Sequence, residues 1–182
     1  ATISPASLTF GSSNYSTLQT VTVTGVDDFY DDDNVSYTIT VDPSSSIASF
    51  NTMTSSTITG SNIDNDTAAI AVGVESGNTS EFGTTATINV TLATIPIANV
   101  SIVVTDNDST EVSITPTTLT ITPSTWNTTN QVTLTGQDDS DNDGNITFRI
   151  SFGNATSTDS KYNGMAPSPA YVDVINVDDY AD

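Results

Sequence analysis

Four aspartates fall within six residues of one segment, Asp138-Asp139-Ser140-Asp141-Asn142-Asp143, and Gly144 follows. Carboxylates packed this densely on a turn repel one another at neutral pH unless they share a cation. Short acidic side chains are hard oxygen donors, and a convergent set of them suits Ca²⁺ better than Mg²⁺, which keeps its waters and uses fewer carboxylates. Asp139, Asp141, Asp143 and Gly144 match the opening of a D-x-D-x-D-G calcium loop. The twelfth position, however, is Ile150, where a helix–loop–helix calcium loop needs Glu, and no helical period flanks the segment. The metal chemistry stands without that fold. A solvated acidic hairpin turn is the competing reading.

The acidic segment is not unique. Residues 1–41 align without a gap onto residues 112–152 at an offset of 111. Pro5 meets Pro116, Leu8 meets Leu119 and Gly25 meets Gly136; Asp27 and Asp28 meet Asp138 and Asp139, and Asp32 meets Asp143. Self-similarity at about one domain length indicates tandem modules. The alignment divides the chain into 1–66 and 67–182 and leaves the first module without a counterpart of 68–111. The expectation is therefore one complete module and one incomplete module, whose missing strands come either from residues ahead of Ala1 or from a neighbouring chain. Asp64 and Asp66 lie at the join, where an ion would tie one module to the next.

The net charge is −20, with only Arg149 and Lys161 positive. Nucleic acid and anionic membranes are repelled by such a surface, and cations are its natural partners. All the acids except Glu75, Glu81 and Glu111 are aspartates, and most are grouped in turns rather than scattered. With no Cys and no His, the usual nucleophilic triads and zinc sites are excluded. Paired carboxylates on exposed turns, outside any apolar cleft, do not suggest glycoside hydrolysis. No apolar run is long enough to span a membrane. Ten N-x-S/T sequons offer acceptors for N-linked glycans, although a chain rich in Asn, Ser and Thr also produces them by chance.

Period-two alternation must position these acids. Val35, Tyr37, Ile39 and Val41 alternate with Ser and Thr, as do Ala86, Ile88, Val90 and Leu92, and Ile146, Phe148, Ile150 and Phe152. Strands are predicted near 68–74, 84–93, 99–105, 111–115, 118–122, 130–136, 145–152 and 169–177, and in the first module near 1–4, 7–10, 19–25, 34–41 and 56–63. Seven or eight short strands in about 110 residues predict an all-β, immunoglobulin-like two-sheet sandwich. Trp126 and its counterpart Tyr15 are expected to cap the core.

Three signatures in order carry a resemblance: Ser80-Glu81-Phe82-Gly83 before an alternating strand, Val132-Thr-Leu-Thr-Gly136 leading into Asp138-Asp139, and the closing Asn176-Val-Asp178-Asp179. The chain resembles the Calx-β domain family, in the tandem form found in large bacterial surface proteins. The block 1–66 is similar to the latter part of a preceding copy. The resemblance implies calcium at one end of the sandwich. Its ligands would be Glu81, Asp106 or Asp108, Asp138, Asp139, Asp141 and Asp143, with Asp178 and Asp179. In the first module they would be Asp27, Asp28, Asp32, Asp64 and Asp66, with no leading glutamate. It implies a non-enzymatic, extracellular or cell-surface protein, a calcium-rigidified spacer or building block of an adhesin, surface layer or filament. Its partners would be calcium and neighbouring repeats or subunits. A calcium-dependent carbohydrate-binding module is the alternative.

Overall fold

The computed structural model describes residues 1–74, 76–140 and 142–178. It is nearly all strand: β1 (Thr2–Ser4), β2 (Thr22–Thr24), β3 (Val35–Val41), β4 (Ser56–Asn62), β5 (Ile70–Val74), β6 (Thr79–Ser80), β7 (Thr85–Leu92), β8 (Val100–Asp106), β9 (Val112–Thr115), β10 (Thr118–Ile121), β11 (Asn130–Gly136), β12 (Ile146–Phe152) and β13 (Tyr171–Val177). The one helix among the described residues is the single turn α1, Ala48–Asn51. The chain forms two compact units: residues 1–28 with 32–65, and residues 29–31 with 66–182.

The larger unit is a two-sheet sandwich. One sheet has the order β10-β8-β12-β13-β6 and the other β5-β7-β11-β9. Alternation decides which face of each strand turns inward. Ala86, Ile88, Val90 and Leu92 of β7 meet Val100, Ile102 and Val104 of β8 and Phe148, Ile150 and Phe152 of β12 in one buried cluster, while the intervening Thr and Ser face out. Each fully buried aliphatic or aromatic side chain contributes roughly 1.5–3 kcal/mol relative to its exposed state. Among the described residues the named strands pair antiparallel except β13 with β6, where Asn176 lies opposite Thr79 and Val177 opposite Ser80. This two-residue strand was not expected, because two residues cannot register a period.

Phe29, Tyr30 and Asp31 are part of this unit although their sequence neighbours belong to the other. The Phe29 ring lies 5.7 Å from that of Trp126, and its carbonyl accepts the Ile95 N–H at 2.8 Å. The Asp31 carboxylate accepts the Ala68 N–H at 2.8 Å and pairs with the Lys161 ammonium at 2.7 Å. Lys161 first, and the Ala68 amide second, hold the Asp31 carboxyl below its ordinary value of 3.8. A carboxyl with a depressed folded pKa stabilises above its unfolded value, and that contribution is lost as pH falls through the folded one. Phe29→Ala and Asp31→Asn should therefore each cost about 1–2 kcal/mol at pH 7, from the lost ring contact and the lost charged hydrogen bonds. The Asp31→Asn penalty should fade below about pH 4. Urea unfolding followed through Trp126, the chain's single tryptophan, reads this; unchanged midpoints for both variants would show the segment to be a passenger.

The smaller unit has two separate two-stranded sheets, β1-β2 and β3-β4. No residue from 1 to 67 is buried. Two expectations fail here. Residues 7–10 are not a strand, and Tyr15, read as a core cap, is 76% exposed. Both failures have one cause. In the sandwich the matching strand β10 is an edge strand hydrogen-bonded only to β8, and Trp126 packs on a closed core. The smaller unit contains no counterpart of β8 and no such core.

Candidate metal centre

One end of the sandwich gathers the acids. The β8–β9 connection, the β11–β12 connection, the residue after β6 and the end of β13 all lie there, because alternate strands of both sheets begin or finish at that edge. Glu111, Asp139 and Asp143 each place a carboxylate oxygen within 4.8 Å of the others. Among the described residues this is the only acidic group of that compactness.

Glu111 is the anchor. It is buried immediately before β9, while Asp139 and Asp143 are exposed on the β11–β12 loop. The Gln137 N–H donates to the Glu111 carbonyl at 3.0 Å, which fixes the start of the loop beside it. Asn176, also buried, donates its amide to Glu111 Oε2 at 3.1 Å and to the Gln137 carbonyl at 3.2 Å. Its oxygen accepts from the Thr79 hydroxyl at 2.9 Å, so β6 and β13 together orient the glutamate. The far end of the loop is pinned separately. Gly144, at φ 78°, donates its N–H to Asp178 Oδ2 at 2.9 Å, and the Asp178 N–H donates to Asn145 Oδ1 at 3.2 Å. A left-handed conformation of this kind is open to glycine at little cost.

Burial pushes the Glu111 pKa above its ordinary 4.5, the Asn176 hydrogen bond opposes that shift, and the nearby charges of Asp143, Asp108 and Asp139 raise it further. A low-exposure carboxylate facing three others is an electrostatic deficit that a cation removes. The group can therefore hold a metal ion.

The other expected ligands lie as follows. Glu81 follows β6 and is buried, with its N–H donating to the Val177 carbonyl at 3.1 Å. Asp106 ends β8 opposite Ile150, in line with the inward row. Asp108 sits in a turn, accepting from the Thr110 hydroxyl at 2.6 Å. Asp138 is exposed at the start of the loop. Asp141 and Asp179 lie outside the described residues. In the smaller unit, Asp27, Asp28 and Asp32 are exposed and Asp64 is half-buried; Asp66, also half-buried, is the first residue of the segment 66–182 of the larger unit. Asp64 Oδ2 accepts the N–H groups of Asp32 at 3.0 Å and Asp33 at 2.9 Å, and the Asp64 N–H donates to Asn34 Oδ1 at 2.9 Å. Asp33, Asn34 and Asp64 thus make the bonds that Gly144, Asn145 and Asp178 make in the sandwich.

Glu111 was absent from the ligands expected from sequence. Its signal was present but unused: it is one of three glutamates among the chain's acids, which are otherwise Asp, and it stands directly ahead of an alternating strand. The chain matches no protein-family model and no curated protein.

Proposed function

We propose that the protein is a structural, calcium-binding β-sandwich of the Calx-β kind, a rigid spacer or building block of an extracellular adhesin, surface layer or filament, without enzymatic activity. The Glu111–Asp139–Asp143 group carries this reading. Oxygens bound to one Ca²⁺ at roughly 2.3–2.6 Å lie within about 5 Å of each other, the span these three already have. Glu111, Asp139 and Asp143 would hold the ion, with Asp108 and Asp138 near enough in the chain to add oxygens. A set made only of oxygens, in a chain with neither Cys nor His, suits Ca²⁺ rather than Zn²⁺. The bound ion would supply charge neutralisation and a cross-link between the β8–β9 and β11–β12 connections. An acidic surface, Thr-lined outer faces and a site that ties loops together suit a load-bearing module rather than a catalyst.

Calorimetric titration of the full chain tests the site. Ca²⁺ should bind with a Kd between about 10⁻⁶ and 10⁻³ M, and Mg²⁺ at least roughly tenfold more weakly. Glu111→Gln should weaken Ca²⁺ binding by about tenfold or more, because a neutral amide replaces the buried charge. Equal Ca²⁺ affinity in Glu111→Gln and the parent protein would remove the assignment.

A further inference from the structure

The smaller unit is the sandwich with one set of strands taken away, and the match is residue by residue. At the offset of 111, β1 and β2 correspond to β9 and β11, and they pair in the same register: Thr2 opposite Thr24, as Ser113 is opposite Thr135. β3 corresponds to β12 at the same offset and β4 to β13 at an offset of 114: Val35 lies opposite Asn62, as Ile146 lies opposite Asn176. Asn62 donates its amide to the Val26 carbonyl at 2.7 Å, as Asn176 does to the carbonyl of Gln137.

Coverage is what differs. Leu119, Ile121, Val132 and Leu134 are at most 6% exposed. Their counterparts Leu8, Phe10, Val21 and Val23 are 37–55% exposed. In the sandwich the covering elements are β5, β6, β7 and β8. β7 pairs with β11, β8 with β12 and β10, and β6 with β13. The matching edges of β2, β3 and β4 carry no strand. Unpaired edges beside an apolar face are a site for strand addition.

We propose that this face seats a four-strand segment with the pattern of 70–106, joined ahead of Ala1 as 70–106 is joined ahead of Val112. A second copy of the chain does not serve. Its residues 70–106 already cover its own core, so every transfer would uncover one face in covering another, with no net burial. The occupant has defined chemistry: alternating aliphatic residues that replace Ile88, Val90, Ile102 and Val104 in facing the core, and backbone free to pair with β2 and β3.

The test repeats the chain's own residues 68–111 ahead of Ala1 and compares this extended protein with the original. Amide exchange at residues 8–10 and 22–24 should slow by at least about a hundredfold in the extended protein, and binding of an apolar dye should fall. Trp126 fluorescence reports whether the original sandwich remains intact. An added segment with its inward aliphatics changed to Ser should give no protection. Because the fusion itself could misfold, the same segment is also supplied as a separate polypeptide and should protect the same amides. Absence of protection in both arms overturns the proposal. So does protection already present in the original monomer, or protection that appears only with dimerisation in sedimentation, which would make a second copy the occupant.

Discussion

Saturating Ca²⁺ should raise the melting temperature of the metal-free sandwich by about 10 °C, and chelator should reverse the change. An ion that binds only the folded state stabilises it by about 2.7 kcal/mol at a hundred times its Kd. For a unit of this size each kcal/mol is worth about 4 °C. Equal Mg²⁺ should give less than half the shift. Glu111→Gln, binding Ca²⁺ at least about tenfold more weakly, should reduce it to about 6 °C or below, since the buried charge that the ion neutralises is gone. Superimposed melting curves in Ca²⁺ and in chelator would end the calcium reading.

The pH dependence separates this site from a merely acidic surface. Glu111 has a raised folded pKa, so it binds its proton more tightly folded than unfolded. Its contribution is complete below the unfolded value of 4.5 and is lost as pH rises through the folded one. The metal-free protein should therefore lose stability from about pH 4.5 toward 7, and Glu111→Gln should flatten that slope. With Ca²⁺ present the trend should invert, because protons then compete with the ion for the same oxygens. The variant thus raises metal-free stability at pH 7 while weakening the response to metal, an opposition that a general loss of packing would not produce.

The strands were legible because alternation writes burial directly into the order of residues, as in Ile146 to Phe152. The self-match likewise aligns the acidic segments 27–33 and 138–144 within the sequence. Illegible were the features that depend on elements distant in sequence. β6 exists through two hydrogen-bonded residues of β13. Residues 7–10 have the pattern of a strand but lack the neighbour that makes β10 one. Glu111 becomes the anchor of the acidic group because Asn176, 65 residues later, turns toward it. Asp31, in the middle of an acidic run that reads as a ligand loop, instead meets the chain's only lysine. Residue type named the chemistry in each case, and topology chose which residue performs it.

Gly136 shows the same division and yields the largest effect expected of a single substitution. In the sequence it is one of a pair, since Gly25 occupies the matching position. In the structure the two differ. A Cβ at Gly25 would meet only the Asn62 side-chain amide, at 2.6 Å, and a side chain can swing aside. A Cβ at Gly136 would lie 2.5 Å from Asn176 Oδ1 and would also collide with the backbone carbonyl of Ser80. Relief requires β6 to move away from β11, and β6 carries Thr79, the partner of the Asn176 oxygen. Gly136→Ala should therefore cost about 3 kcal/mol or more, combining overpacking with a disrupted buried polar network. It should also weaken Ca²⁺ binding, since Asn176 would no longer hold Glu111 in place. Gly73 provides the control. It sits on β5 with open space where a Cβ would go, so Gly73→Ala should be neutral or stabilise by up to about 0.5–1 kcal/mol through the unfolded chain. Urea unfolding without metal measures both. A Gly136→Ala midpoint close to that of the parent protein would mean that β6 yields freely, and the account of how Glu111 is positioned would fall with it.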